Sequence, residues 1–276
     1  MNFLRLIVIL LPVLLQAACG PLAAVGAVGT TITNAAYNEN ERRERGSYIS
    51  HAEQATEVAI ANLNLGVEYM RQGNYKMALA KLNRAKMARN DYAPIHNALG
   101  LVYQQIGETE AAEINFKRAI KLDPSDSSSL NNYGLFLCQN QQFDEADEYF
   151  LKAANNPLYS TPELAITNAG TCALSNGQFD KADNYFREAL KRNPRVAPAL
   201  IQMAGLSYEQ GQYLPARGYL QRYLELTKHT PKSLWLGIRI ESELGDNNAV
   251  SSYALLLRNN YPDTKEATLL KEFRAQ

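Results

Sequence analysis

From about residue 59 onward the chain repeats one arrangement of small, apolar and polar positions. A Gly recurs as Gly66, Gly100, Gly134, Gly170, Gly205 and Gly237, at intervals of 34, 34, 36, 35 and 32 residues. Three residues after each stands an apolar or aromatic side chain: Tyr69, Tyr103, Leu137, Ala173, Tyr208 and Ile240. Eleven or twelve residues after each Gly stands an Ala (Ala78, Ala112, Ala146, Ala182, Ala216, Ala249). Fifteen or sixteen after come Leu82, Phe116, Phe150, Phe186, Leu220 and Tyr253. Eighteen or nineteen after come Ala85, Ala119, Ala153 and Ala189, then Tyr223 and Leu256. A second Gly or Asn-Gly divides most repeats (Gly73, Gly107, Asn176-Gly177, Gly211, Gly245), where a helix can end because Gly accepts positive φ. Pro124 and Pro194 close their repeats, and Pro157 and Pro262 lie within a residue of the same place. Pro stops a helix by lacking the N–H and clashing with the preceding turn.

This pattern resembles the tetratricopeptide repeat (TPR), and the resemblance implies an all-α superhelical solenoid of six helix-turn-helix repeats. The repeats run at about 59–92, 93–126, 127–162, 163–197, 198–229 and 230–262, inside a TPR domain spanning 51–276. Gly and Ala stand where backbones approach closely, and Leu, Phe or Tyr fills the holes as ridges enter grooves. One helix pair cannot bury its apolar face alone, whereas a stack can. The sixth repeat is the least regular, as a terminal repeat should be, and Glu266 to Gln276 reads as a final capping helix.

The N-terminus follows a different rule. After Arg5 comes an apolar run, Leu6 to Leu15, too short for the ~20 residues that span a bilayer and about right for a secretory leader. Ala17, Ala18, Cys19 and Gly20 follow. The placement resembles the bacterial lipobox, which implies cleavage after residue 18 and a lipid on Cys19. Gln16 departs from the apolar residue usual three places before the Cys. Plain cleavage and an uncleaved anchor are the alternatives. The Gly after Cys19, in place of Asp, resembles lipoproteins sorted to the outer membrane and implies its periplasmic face. Residues 19–50 read as a flexible tether, uncharged from Pro21 to Asn38 and of mixed charge from Glu39 to Arg45.

An apolar fraction of 46% suffices for a packed core. Lys plus Arg and Asp plus Glu both total 28, and no stretch of sequence gathers the cations, so nucleic acid finds no electrostatic footprint. Catalytic chemistry finds no constellation either. His51, His96 and His229 share no metal-ligand spacing, there is no phosphate loop or nucleophile elbow, and clusters such as Asp144-Glu145 read as helix starts. The expectation is a protein-binding module with no cofactor and no metal, not an enzyme.

Cys138 and Cys172 lie 34 residues apart, one repeat length. In adjacent repeats such residues come side by side, so a disulfide is expected in an oxidising compartment, with two separate buried thiols as the alternative. Such a bridge contributes roughly 3–4 kcal/mol by the chain-entropy estimate.

TPR proteins usually bind ligands along their first helices, and by that resemblance the residue after each repeat Gly and the one four earlier face the binding groove. In the first four repeats these are Leu63 and Val67, Asn97 and Leu101, Asn131 and Leu135, and Thr167 and Thr171. In the last two they are Gln202 and Leu206, and Leu234 and Ile238. The surface is apolar and amide-bearing, without the basic residues that clamp acidic C-termini. It suits an extended or helical segment with apolar anchors, unless several of these side chains pack between repeats instead.

Several stretches exceed what any TPR requires: Leu130-Asn-Asn-Tyr-Gly-Leu-Phe-Leu137, Asn156-Pro-Leu-Tyr159, Tyr213-Leu-Pro-Ala-Arg-Gly-Tyr219, Ser233-Leu-Trp-Leu-Gly-Ile-Arg239, Ala249-Val-Ser-Ser-Tyr-Ala254 and Arg258-Asn-Asn-Tyr-Pro262. With the leader they resemble the PilF/PilW family of type IV pilus biogenesis lipoproteins. The resemblance implies a pilotin-like partner of the outer-membrane secretin (PilQ-like), promoting its localisation, multimerisation or stability, and other type IV pilus proteins as further partners. A general periplasmic TPR adaptor for cell-envelope assembly is the competing reading.

Overall fold

The computed structural model describes residues 51–274; the leader, Cys19 and the tether lie outside them. The described residues are all-α, with thirteen helices and no strand, and fall into two compact units that meet between Tyr159 and Ser160.

The first unit contains three hairpins: α1 (His51–Arg71) with α2 (Tyr75–Ala88), α3 (Ala93–Gln105) with α4 (Thr109–Leu122), and α5 (Ser127–Gln139) with α6 (Phe143–Ala154). The second contains α7 (Pro162–Ser175) with α8 (Phe179–Arg192), α9 (Ala197–Glu209) with α10 (Tyr213–Leu224), α11 (Pro231–Glu243) with α12 (Asn247–Asn260), and the terminal α13 (Lys265–Arg274). Helix α1 is already formed at His51, two turns before the repeat pattern begins.

Local chemistry sets the helix ends. Asn74, Asp126 and Asp246 accept hydrogen bonds from backbone N–H groups of the first turns of α2, α5 and α12. A capping box of Thr230 and Ser233 opens α11. Pro94, Pro162, Pro198 and Pro231 occupy first-turn positions where the missing N–H costs nothing, so proline begins repeats here as well as closing them. Five hairpin turns pass through a Gly at φ between 72° and 82°; in the third repeat Gln141 holds φ 63° instead.

Each hairpin closes on one contact. A Cβ added to Gly66 would lie 2.6 Å from Leu82, to Gly100 2.7 Å from Phe116, and to Gly134 2.8 Å from Phe150. In the second unit Gly170 would meet Phe186 at 2.6 Å and Gly237 would meet Tyr253 at 2.9 Å. All five are the pairs sixteen residues apart in sequence. The fifth repeat corrects the reading: a Cβ on Gly205 would meet nothing within 4 Å, while Ala204 is fully buried with Ala216, Leu220 and Ile240. Ala204 lies sixteen residues before Leu220, so it is the true counterpart of Gly100, and the groove positions of that repeat move back by one, to Ile201 and Gly205.

Around these contacts the first unit buries Phe116, Tyr133, Phe136 and Phe150, with Tyr133 edge-on to Tyr149 at 4.8 Å. In the second unit α13 lays Ala267 and Leu270 against Leu234, Ile238, Ala254 and Leu257, which closes the apolar end of the last hairpin. Glu241 of α11 is buried toward α10, where it accepts hydrogen bonds from Nε and Nη2 of Arg217. Cys138 and Cys172 are both disulfide-bonded. No helix among the described residues is long and apolar enough to cross a membrane.

Two expected outcomes follow from this packing. Gly100→Ala forces Phe116 aside and lowers stability by about 1–3 kcal/mol, whereas Gly205→Ala raises it by up to ~1 kcal/mol, both read as shifts in the urea midpoint. Equal effects of the two would contradict the assignment of Ala204 as the contact residue. Burial also pushes the Tyr133 phenol up to about 12, with nearby Lys117 working against the shift, and its hydroxyl makes no well-formed hydrogen bond. The folded chain therefore keeps that proton after the unfolded chain, near 10, has released it. This stabilisation is complete below about pH 10 and is lost as pH rises toward 12. Tyr133→Phe should leave stability at neutral pH unchanged and make the alkaline decline shallower; an identical decline would exclude Tyr133 as a cause.

Candidate functional site

The first-helix faces combine packing positions with accessible ones. In the first unit Leu63 and Val67 are buried in the core formed by α1, α2 and α3, and Asn131 is buried on α5. Asn97, Leu101 and Leu135 are half-buried and reach the surface. They belong to a strip in which two amide pairs join α3 to α5. Asn132 Nδ2 donates to Asn97 Oδ1 at 3.1 Å, and Gln104 Nε2 donates to Gln139 Oε1. Leu101 lies on α3 between Asn97 and Gln104, and Leu135 lies on α5 between Asn132 and Gln139, so two leucines are framed by amides. Each amide pair keeps a spare donor group and a spare acceptor. A peptide backbone laid along the strip could exchange hydrogen bonds with these while its apolar side chains met the leucines.

In the second unit the corresponding face is built differently. Thr167 is buried and Thr171 half-buried. Thr167 Oγ1 donates to Glu163 O at 2.7 Å, Thr171 Oγ1 to Thr167 O at 3.0 Å, and Ser175 Oγ to Thr171 O at 3.1 Å. These hydroxyl protons are committed to their own helix, leaving methyl groups and lone pairs as the face's chemistry. On α9 the face consists of Ile201, Gly205 and Tyr208 in the corrected register, all half-buried, while Leu206 is buried. Leu234 and Ile238 on α11 are fully buried beneath α13.

Arg239 has no counterpart in the sequence reading. Its guanidinium lies 4.1 Å from the centre of the Tyr208 ring and pairs with Glu209 at 3.0 Å. The cation is thus stacked and neutralised at once, and it ties α11 to α9. Its place two residues after Gly237 was visible; the tyrosine that receives it, shifted with the fifth-repeat register, was not. Among the described residues no group of three or more His, Cys, Asp or Glu side chains is placed to hold a metal ion. Asp144 and Glu145 occupy the first turn of α6.

Comparison with known proteins matches the same repeats. Tetratricopeptide-repeat models match residues 93–126, 115–148 and 173–232. The type IV pilus assembly protein PilF of Pseudomonas aeruginosa is 30% identical over 216 residues, which cover 78% of this chain and 84% of that protein. The chain belongs to the PilF/PilW family of type IV pilus TPR proteins. The solved structure of P. aeruginosa PilF superposes with a TM-score of 0.71 over 80% of this chain and 99% of that one, at 30% identity. That of PilW, described as a widely conserved type IV pilus biogenesis factor, gives 0.70 over 77% and 98%, at 29% identity. Membership in this TPR family implies protein partners in pilus biogenesis.

Substitution separates lining from packing. Leu101→Asp or Leu135→Asp should cost about 1 kcal/mol, because the carboxylate can stay in water, whereas Leu63→Asp should cost at least about 3 kcal/mol. Circular-dichroism melts of the three variants decide the matter, and equal losses would mean that Leu101 and Leu135 pack rather than line a surface.

Proposed function

We propose that this protein is a non-catalytic lipoprotein of the outer membrane's periplasmic face, which holds the pilus secretin and promotes its localisation, multimerisation or stability. Family membership across 84% of a type IV pilus assembly protein carries the reading. The Leu101–Leu135 strip with its amide frame supports it, being suited to a segment that brings its own backbone hydrogen bonds. In this reading the lipid on Cys19 gives membrane affinity, residues 20–50 give reach, and the TPR units grip the partner. Tethering raises the partner's effective concentration at the membrane without any new contact. Several acyl chains on one Cys hold firmly where a single chain binds reversibly.

The test is made in cells lacking the protein and in cells carrying Cys19→Ser. Unheated outer-membrane fractions are blotted for the heat-labile secretin multimer, which should fall in both strains. A fall in the deletion alone keeps the secretin role and makes the lipid dispensable. An unchanged multimer in both strains removes the secretin role and leaves a TPR adaptor acting elsewhere in pilus biogenesis.

A further inference from the structure

The sequence spreads its cations evenly, but the fold of the second unit does not. Antiparallel hairpins send every connector from a second helix to the next first helix to the same edge. Hydrogen bonds show the alignment in this unit. Asn193 Nδ2, in the α8–α9 connector, donates to Glu163 at the start of α7 at 3.1 Å. Arg222, in the last turn of α10, donates to Pro194 O at 3.0 Å. The Tyr261 hydroxyl, beyond α12, donates to His229 O in the α10–α11 connector at 2.7 Å.

This edge gathers Lys191, Arg192, Arg195, Arg222, Lys228 and Lys232 in two connectors and their flanking turns, against the single carboxylate of Glu225. Glu188, which pairs with Arg192 at 2.8 Å, and Glu163 lie just behind. Counting both, six cations against three carboxylates leave a net charge of +3. The α12–α13 connector, with Arg258 and Lys265 against Asp263 and Glu266, adds nothing. Lys191, Arg195 and Lys228 are exposed, and among the described residues no carboxylate lies within ion-pair distance of them.

The polarity is not a general result of helix dipoles. In the first unit the corresponding connectors set Lys86, Arg89, Lys121 and Lys152 against Asp91, Asp123 and Asp126, with Arg89 forked onto Asp91 at 3.0 and 3.1 Å. At the hairpin-turn edge of the second unit the excess is acidic: Glu241 and Asp246 share Arg217 and Glu209 pairs with Arg239, while Asp180 and Glu243 stand at the same edge. Of the two edges of the second unit, the connector edge is the one that carries a net positive charge.

We propose that this edge docks on the anionic phospholipid surface of a bilayer. The cations stand on a rim rather than in a recess. They are long and flexible, and they are spread over successive connectors about 10 Å apart. A plane of mobile anionic headgroups matches such an array, because lipids rearrange beneath it, and each Lys or Arg adds to the attraction within a Debye length. The proposal rests for its setting on the lipid anchor at Cys19: thirty-one residues between Cys19 and His51 allow a reach of up to about 100 Å, so the anchor permits the contact without enforcing it.

The test uses the chain from Gly20 onward, which keeps every residue of the described core and lacks the lipid. It is sedimented with vesicles of phosphatidylcholine alone and of phosphatidylcholine with phosphatidylglycerol. Binding to the anionic vesicles alone, weakened by salt, is expected. The joint variant Lys191→Gln, Arg195→Gln, Lys228→Gln should bind about 100-fold more weakly, while Lys86→Gln, Lys121→Gln, Lys152→Gln should bind as the parent does. Unchanged helix content on circular dichroism confirms that both variants are folded. Equal binding to both vesicle types, or no loss in the first variant, would overturn the proposal. So would absence of vesicle binding with cation-dependent capture of polyglutamate, which would assign the edge to an acidic protein segment. Mass spectrometry of Cys19 in the cell-derived protein tests the anchor separately, so failure of either reading is seen by itself.

Discussion

The structure depends on one contact, repeated: in five of the six hairpins a side chain of the second helix occupies the space where a Cβ of the first helix would stand. Phe116 over Gly100 and Phe186 over Gly170 show it most plainly. Deleting the Cβ brings the two backbones within ridge-and-groove distance. The ring then fills the groove between them. In the fifth repeat Ala204 packs with Leu220, whereas Leu82 of the first repeat stands over Gly66, so the size of the inserted side chain does not by itself choose between Gly and Ala. Hairpin geometry, spacing of the connectors and position of the accessible strips all follow from that approach.

The contact was legible because glycine at a helix–helix approach has few substitutes, so five copies in phase stand out against a varied background. The same feature misled in the fifth repeat. Gly205 adjoins Ala204, and only the fit against Leu220 shows which of them is in contact. Gly205 itself has no steric reason to be glycine. The binding faces were less legible for a related reason. Spacing assigns Leu63, Val67, Leu101 and Leu135 to one face, but exposure depends on what neighbouring helices lay over it. Likewise Asn132, rather than its neighbour Asn131, reaches Asn97. One residue along a helix is a rotation of about 100°, which spacing between repeats cannot resolve when repeat lengths themselves vary.

Charge illustrates a further limit of reading along the chain. Lys191 and Lys228 are distant in sequence, and no local window holds enough cations to attract notice. Topology collects them, because alternate helices return to the same edge. Arg217 and Arg239, similar in sequence terms, are taken up by Glu241 and by Glu209 with Tyr208. A cation used to join repeats and one available to a partner are distinguished by their neighbours across the stack.

The terminal helix α13 has a consequence for how such a chain can lengthen or shorten over evolutionary time. Ala267 and Leu270 cover the face that Leu234, Ile238, Ala254 and Leu257 would otherwise offer to a seventh hairpin. A duplicated hairpin can enter between existing repeats, where each neighbour already presents a complementary face. Appended after α13 it would meet a surface with no matching recess. Growth of the stack at this end therefore requires that α13 first leave the last hairpin.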